Sequence, residues 1–573
     1  MFLLACTGEK AIDANNWNKE IQLNNASDIN SASDIVEINL EAIEKDIELS
    51  PGVFTKMWTY NGSFPGPTIN ANVGDTLIVN FTNKLDTPTT VHWHGVELPA
   101  NMDGSSISQF PVQPNETFRY QFTVNRAATY WYHPHIESHI QVEKGLYGAL
   151  IVRDPDEDNQ LALPSKEATL IFDDILLDNN GQIVPDIHNQ VGVTPIDNAL
   201  TQLNGREGNH FLVNGKLISP DTIDINDLPS IDVTEGEPLR LRFINSANAR
   251  FFRLSIKGNT MYKIGGDGGL LTSPVAADPV KIITVTTQAR DLNTNSDYPD
   301  PDPSKGVLLV PGERADIVFS PTRPILGDAF IEWYYYPRGY HGVEDDGNGN
   351  LTINHTHVPD IQLGIRLIKL NFVDSNTDDT NAAEYAPPTE LKTITPIVTD
   401  STTEILPVLF GHSNPDVNGD IEFFASASKQ PFSELDITTS LSATIGNTYI
   451  WQVTNLTQGD HPFHPHGFTF QHISTEFIDL DSPEKNQITY PNYIETKDTI
   501  LIPARTGLKG RSRAIVKLAV TFDGLSREGN ISASGKTPSL GTNSELLSGG
   551  WFVHCHILEH ADRGMGTYLN LLP

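Results

Sequence analysis

Gly74-Asp75-Thr76-Leu77-Ile78-Val79-Asn80-Phe81-Thr82-Asn83 opens on a turn glycine, alternates between two faces, and closes on an asparagine. Successive side chains of an extended chain point to opposite sides, so the alternation reads as a β-strand with one face in a core. The pattern returns as Gly236-Glu237-Pro238-Leu239-Arg240-Leu241-Arg242-Phe243-Ile244-Asn245. It returns again as Gly446-Asn447-Thr448-Tyr449-Ile450-Trp451-Gln452-Val453-Thr454-Asn455. One such pair arises easily by chance. A third copy, at spacings far beyond a solenoid repeat, means duplicated domains.

Outward from these strands the chain keeps the same character. Short Val/Ile/Thr/Phe-rich stretches are broken by Gly, Pro, Asn and Asp, with Gly 43 and Pro 38 in 573 residues. There is no long amphipathic helical run, so the expected fold is all-β and mostly antiparallel. The length exceeds one hydrophobic core. Three Greek-key β-sandwich domains are expected, over residues 36–158, 159–375 and 376–573, preceded by a segment 1–35. Acidic, Pro-containing stretches at 155–166 and 374–390 supply the boundaries. Residues 293–305 and 523–549 read as surface loops, the second of them mobile and distant from the end of the strand that follows it.

Asp+Glu 72 against Lys+Arg 38 gives a formal net charge of -34. Such a surface repels nucleic acid and suits cations or a salty medium. The two cysteines, Cys6 and Cys555, lie far apart in unlike contexts, so no disulfide between them is expected. Met1-Phe2-Leu3-Leu4-Ala5-Cys6 looks like the end of a bacterial lipoprotein signal without its charged start. With an Asn/Asp/Ser-rich tether behind it, the expectation is an exported protein, periplasmic or at the cell surface, with a lipid anchor possible at Cys6. There is no run of about twenty apolar residues to span a bilayer.

Histidine carries the chemistry. Of His 18, ten fall in four clusters: His92-Trp93-His94, His133-Pro134-His135, His461-Pro462-Phe463-His464-Pro465-His466, and His554-Cys555-His556 with His560. Neutral imidazole and thiolate are ligands that copper prefers, and no acidic cage competes. Residues two apart share a face of an extended strand. His554 and His556 therefore face one way and Cys555 the other, so one strand serves a thiolate centre and a polynuclear histidine site, joined by a few bonds. Cys555, His560 and Met565 are spaced Cys-x4-His-x4-Met. One more imidazole, from His461, completes the two-His, one-Cys set with a weak axial Met. The other eight, His92, His94, His133, His135, His464, His466, His554 and His556, divide naturally into two ligands for one copper and three for each of a pair.

His-Trp-His-Gly, Trp131-Tyr132-His133-Pro134-His135, His-Pro-x-His-x-His-Gly and His-Cys-His-x3-His-x4-Met resemble the four copper motifs of three-domain multicopper oxidases. Asn61-Gly62-Ser63-Phe64-Pro65-Gly66-Pro67 and Leu212-Val213-Asn214-Gly215 add to the likeness, which runs from about residue 36 to the end. The resemblance implies cupredoxin-like domains and four copper ions: one type 1, one type 2 and a type 3 pair. It implies His461, Cys555, His560 and Met565 at type 1, and His92 with His464 at type 2. His94, His133, His135, His466, His554 and His556 then fall to type 3. Asp103 matches an acid that relays protons beside the cluster, whereas the acid often found after the last histidine is replaced by Ala561. Glu559 and Asp562 are the nearby substitutes. Catalysis is accordingly expected from Asp103, Cys555, His554 and His556, in a monomer that takes electrons from a donor and gives them to dioxygen.

Copper nitrite reductase shares the thiolate loop but needs only three histidines at its catalytic copper. Non-catalytic members of the fold have lost ligands that are present here. A copper-sequestering protein would be Met-rich, and Met is 5. Among donors, laccase-like oxidation of phenols and aryl amines leads, and oxidation of Fe(II), Cu(I) or Mn(II) follows. The second domain is expected to hold no copper and to act as a spacer. His355, His357 and His341 read as surface residues, and His139, His188, His210, His412 and His472 suggest no chemistry.

Overall fold

The computed structural model describes residues 18–572 except 185–193, 221–223, 280–305, 325–326, 337, 340–341, 346–350, 355–363, 374–384, 419, 426–440, 506–511, 524–535, 539–544 and 548–549. Cys6, His188, His341, His355, His357, the 293–305 loop and most of the 374–390 linker lie outside the described residues.

Among the described residues, six large sheets group in three pairs, one pair per domain, around the three largest cores. The three repeat strands occupy equivalent places. Thr76–Asn83 runs parallel to Ile35–Ser50 and antiparallel to Thr117–Thr123. Leu239–Asn245 has Glu167–Ile175 and Arg314–Phe319 in the same two roles. Thr448–Asn455 has Glu404–His412 and Ser512–Thr521. Pairing is mostly antiparallel, as the sequence suggested, but each repeat strand has one parallel neighbour. Alternation reports which face is buried and says nothing about strand direction. A parallel neighbour needs only a long crossover, here through a hairpin partner in the same sheet and then a strand of the opposite sheet.

The ends of the repeat have physical reasons. Gly74, Gly236 and Gly446 take φ of 95°, 77° and 87°, a region that L side chains avoid. The closing asparagines are fully buried staples. Asn83 Nδ2 donates to the carbonyls of Thr87 and Val112 at 2.8 and 2.9 Å, and its Oδ1 accepts from Leu85 N at 2.9 Å. Asn245 does the same with Arg250, Leu309 and Ala247. Asn455 repeats it with Gly459, Pro503 and Thr457. Each amide satisfies backbone groups of the loop leaving the strand, which would otherwise be buried without partners.

Helix Pro195–Asn204 belongs in sequence to the second domain yet docks on the third. Thr194 Oγ1 caps it by accepting from Asp197 N at 3.1 Å, Pro195 starts it, and Gly205 (φ 67°) ends it. Its buried face is Asn198, Ala199, Gln202 and Leu203, at helical spacing. Ala199 and Leu203 join the core that holds Trp451, Phe463, Cys555 and Met565. The 523–549 stretch, read as an irregular loop, contains a two-stranded antiparallel pair, Lys536–Pro538 with Glu545–Leu547. Its Ser/Gly/Thr-rich composition hid three-residue strands from a reading based on apolar alternation.

Candidate metal centres at the domain junction

Strand register brings the histidines together. In the first domain His92–His94 pairs with Ala128–His133, setting His92 opposite His133. In the third, His461–Pro465 pairs with Gly550–Cys555, setting His464 opposite His554 and Phe463 opposite Cys555. In both domains the chain passes through its asparagine staple and then into the ligand strand. After Asn245 the same path leads to Ser246-Ala247-Asn248-Ala249-Arg250, with no histidine. The two buried histidine sets meet face to face. His92 stacks on His466 and His94 on His464, each with ring centroids 3.9 Å apart. His466 Nε2 lies 3.0 Å from His554 Nε2, and His94 Nδ1 lies 3.2 Å from His556 Nε2.

Five of these rings are oriented by a partner on the outer nitrogen. His92 Nδ1 contacts the Asp103 carbonyl at 2.7 Å, and His133 Nδ1 the Pro134 carbonyl at 3.0 Å. His464 Nδ1 contacts the Asp498 carbonyl at 2.8 Å, and His554 Nδ1 the Cys555 carbonyl at 2.8 Å. His466 Nδ1 meets the Asp103 carboxylate at 2.8 Å. What remains faces inward: Nε2 of His92, His133, His135 and His464 is buried without a hydrogen-bond partner among the described residues. Burial first, and then neighbouring histidines, push the pKa of His94, His133, His464, His466 and His554 well below the usual imidazole range. Burial likewise takes His135 down to about 4 and His556 to about 3. A packed group of neutral imidazoles with orphaned nitrogens is a poor apolar core and a ready-made metal site.

On the other face of the same strand, Cys555 Sγ lies 3.5 Å from His461 Nδ1 and 3.7 Å from His560 Nδ1. Their outer nitrogens are held too, His461 Nε2 by Thr457 Oγ1 at 2.7 Å and His560 Nε2 by the Leu203 carbonyl at 3.2 Å. Phe423 stacks on His560 at 4.4 Å. Met565 is buried, and its carbonyl accepts from Cys555 N at 3.0 Å. Burial pushes the Cys555 thiol above its ordinary range, a cost that a bound cation reverses. Ligand atoms of His461, Cys555 and His560 lie within 4.8 Å of one another, as do those of His135, His466 and His554, of His92, His94 and His133, and of His92, His464 and His466. The donor sets, soft thiolate with imidazole on one side and imidazole alone on the other, fit copper.

Asp103 is buried between the two cluster halves, with Oδ1 3.4 Å from His92 Nδ1 and Oδ2 on His466. Burial is the largest influence and lifts its pKa, but His92, a hydrogen bond from Ser105 and His135 together bring it below its ordinary value. Asp562 pairs with His139 at 2.6 Å, tying helix Leu558–Asp562 to helix Ser138–Glu143. Glu559 is buried, its carboxyl pKa raised first by that burial. Sequence reading missed Asp498, whose carboxylate Oδ1 lies 3.1 Å from His94 Nε2, and Arg314, which grips Asp498. The sequence carried no signal for either, because the burial of Lys497-Asp498-Thr499, directly before the apolar strand Ile500–Ile502, appears only in the folded chain.

Comparison with known proteins agrees. Family profiles described as multicopper oxidase match residues 42–157, 186–293 and 403–514. Multicopper oxidase MmcO of Mycobacterium tuberculosis is 32% identical over 236 residues, 38% of this chain and 44% of that protein. Copper resistance protein A of Escherichia coli is 29% identical over 255 residues, 40% of this chain and 41% of that protein. The aligned stretches thus span less than half the length of these curated relatives. A solved multicopper oxidase from Campylobacter jejuni, described as a metallo-oxidase, superposes over 96% of this chain and 94% of its own, at TM-score 0.69 and 25% identity. With that family matched in all three domains, and copper-type ligands converging where the first and third meet, the chain belongs to the multicopper oxidase family.

Proposed function

We propose that this protein is a copper-dependent oxidase that couples one-electron oxidation of a donor at the thiolate site to four-electron reduction of dioxygen at the histidine cluster. The observation that carries this is the strand Gly550–Cys555, which gives Cys555 to one site and the adjacent His554 to the other. His461, Cys555, His560 and Met565 would hold the type 1 copper, His92 and His464 the type 2 copper, and His94, His133, His135, His466, His554 and His556 the type 3 pair. Bound copper supplies one-electron redox chemistry at the first site and dioxygen reduction at the second. The chain's own residues do the rest. The outer-nitrogen contacts of His92, His133, His464, His466, His554, His461 and His560 fix the tautomer and direction of those rings, so little reorganisation accompanies electron transfer. Burial keeps bulk water from the cluster, and Asp103, between His92 and His466, is placed to accept and pass on a proton through Oδ1.

The surroundings of His560 favour a metal-ion donor over a phenol. Its outer nitrogen is engaged by Leu203 of helix Pro195–Asn204, and Phe423 covers the ring. An aromatic donor therefore lacks direct contact with that ligand, while the acidic surface draws cations. The Campylobacter jejuni relative, described as a metallo-oxidase, is in keeping with this. Comparing kcat/KM for Fe(II), Cu(I), Mn(II) and a phenol on copper-loaded protein tests it. A phenol outperforming every metal ion would restore the laccase-like reading.

A further inference from the structure

Among the described residues the second domain holds none of the cluster ligands, yet its turn Val310-Pro311-Gly312-Glu313-Arg314 reaches the cluster. Arg314 is completely buried, and all five of its guanidinium hydrogens have acceptors. Nε donates to the Thr129 carbonyl at 2.9 Å, in the strand that ends at His133. Nη1 donates to the Gly312 carbonyl at 3.0 Å and to Asp498 Oδ1 at 2.6 Å. Nη2 donates to the Asp267 carbonyl at 3.1 Å and to Asp498 Oδ2 at 2.5 Å. One side chain thus ties together the first, second and third domains.

Asp498 passes this fixation to the cluster. Its Oδ1 accepts from Thr499 Oγ1 at 2.9 Å and lies 3.1 Å from His94 Nε2, and its carbonyl holds His464 Nδ1 at 2.8 Å. The consequence shows in which nitrogen each ring presents. His92, His133 and His464 turn Nδ1 outward and leave Nε2 inward. His94 is reversed: Nε2 is engaged by Asp498 and Thr499, and Nδ1 faces His556. Two glycines show how tightly this is built. At Gly95, with φ 85°, a Cβ would collide with Arg314 Nη2 and Asp498 Oδ2. At Gly312, with φ 85°, a Cβ would come within 2.9 Å of both His94 Cε1 and His556 Cδ2.

We propose that Arg314, acting through Asp498, is a positioning residue of the histidine cluster, and that it fixes His94 with Nδ1 toward the metal. The second domain is then more than a spacer, because it contributes the cation that makes the reversed ring the stable one. A lysine at 314 keeps the charge but cannot grip both carboxylate oxygens in plane. Without that grip Asp498 rotates, and His94 loses the partner that selects its tautomer.

This inference rests on the cluster holding copper. The test is Arg314→Lys and, as a smaller change that leaves the guanidinium's three carbonyl contacts in place, Asp498→Asn. Both are copper-loaded and compared with the parent protein by copper count per chain, by absorption at the thiolate site, and by electron paramagnetic resonance of the cluster. The expected result is unchanged thiolate-site absorption with cluster copper bound about 10- to 100-fold more weakly. An altered cluster resonance, with the ligand field of the reversed imidazole lost, should accompany it. Parent-like copper count and resonance with only a lowered Tm would make Arg314 a domain rivet and overturn the proposal. Equal loss of both sites in both variants would overturn it as well. A parent protein that takes up no cluster copper would instead sink the reading on which the proposal rests.

Discussion

Asp103→Asn separates the two halves of the reaction. The substitution keeps the shape of a side chain buried between His92 and His466 and removes its charge. Asp103 Oδ2 accepts from His466 at 2.8 Å, and its backbone carbonyl accepts from His92. The carbonyl contact survives the change, so His92 keeps its orientation. What is lost is one buried hydrogen bond to an ion, worth about 1.5–3 kcal/mol, together with the free oxygen that can carry a proton. At 1.36 kcal/mol per decade this predicts about 10- to 150-fold slower dioxygen reduction. The thiolate site feels none of it, because Cys555, His461 and His560 have their partners among themselves and in Thr457 and Leu203. Stopped-flow traces should therefore show donor oxidation within about twofold of the parent, which is well under 1 kcal/mol. Copper content should be unchanged, and reoxidation by dioxygen slowed by the larger factor. If both half-reactions slow equally, or copper is lost in proportion, Asp103 serves structure alone and the relay argument is wrong.

Other outcomes follow from the same contacts. Asn455→Ala should cost about 2–3 kcal/mol in a denaturant melt by stranding buried backbone groups. It should also shift the thiolate-site absorption, because Asn455 Oδ1 holds Thr457, which holds His461. Asn83→Ala, stapling a loop of the first domain, should cost a similar amount and leave that absorption unchanged. Stripping copper with a chelator should lower Tm by about 10 °C, from about 4 kcal/mol of binding free energy at saturation. A Tm that ignores the chelator would mean that the buried imidazoles pack stably without metal.

Much of this molecule was legible before its structure, and the parts that were not share a cause. Spacing of two along a strand brought His92 with His94 and His554 with His556 to common faces, and sent Cys555 the other way. That is local geometry, and the structure has it so. The repeat announced itself through the turn glycine and the closing asparagine, residues whose reasons are local too: a positive φ and a loop to staple. Arg314 and Asp498 escaped because their meaning lies 184 residues apart in sequence, and Asp498 meets His94 across 404. Neither sits in a periodic pattern or a motif, so only the assembled domains give them a role. The parallel neighbours of the repeat strands were missed for a related reason, since burial alternation is blind to strand direction. Leu203 over His560 is the third case: a ten-residue helix of the second domain covers a site in the third. Its sequence carries a cap and an apolar face but no address.

The central claim is that Cys555 belongs to one copper and its flanking histidines to another group of coppers. Cys555→Ser measures it most directly, because the serine fits the same buried position and removes only the thiolate. Absorption, copper count and turnover are read on one preparation. The account predicts that the intense blue absorption disappears, that copper remains at the cluster of His92, His94, His133, His135, His464, His466, His554 and His556, and that turnover stops. A variant that stays blue, or that turns over donor at the parent rate, would contradict it.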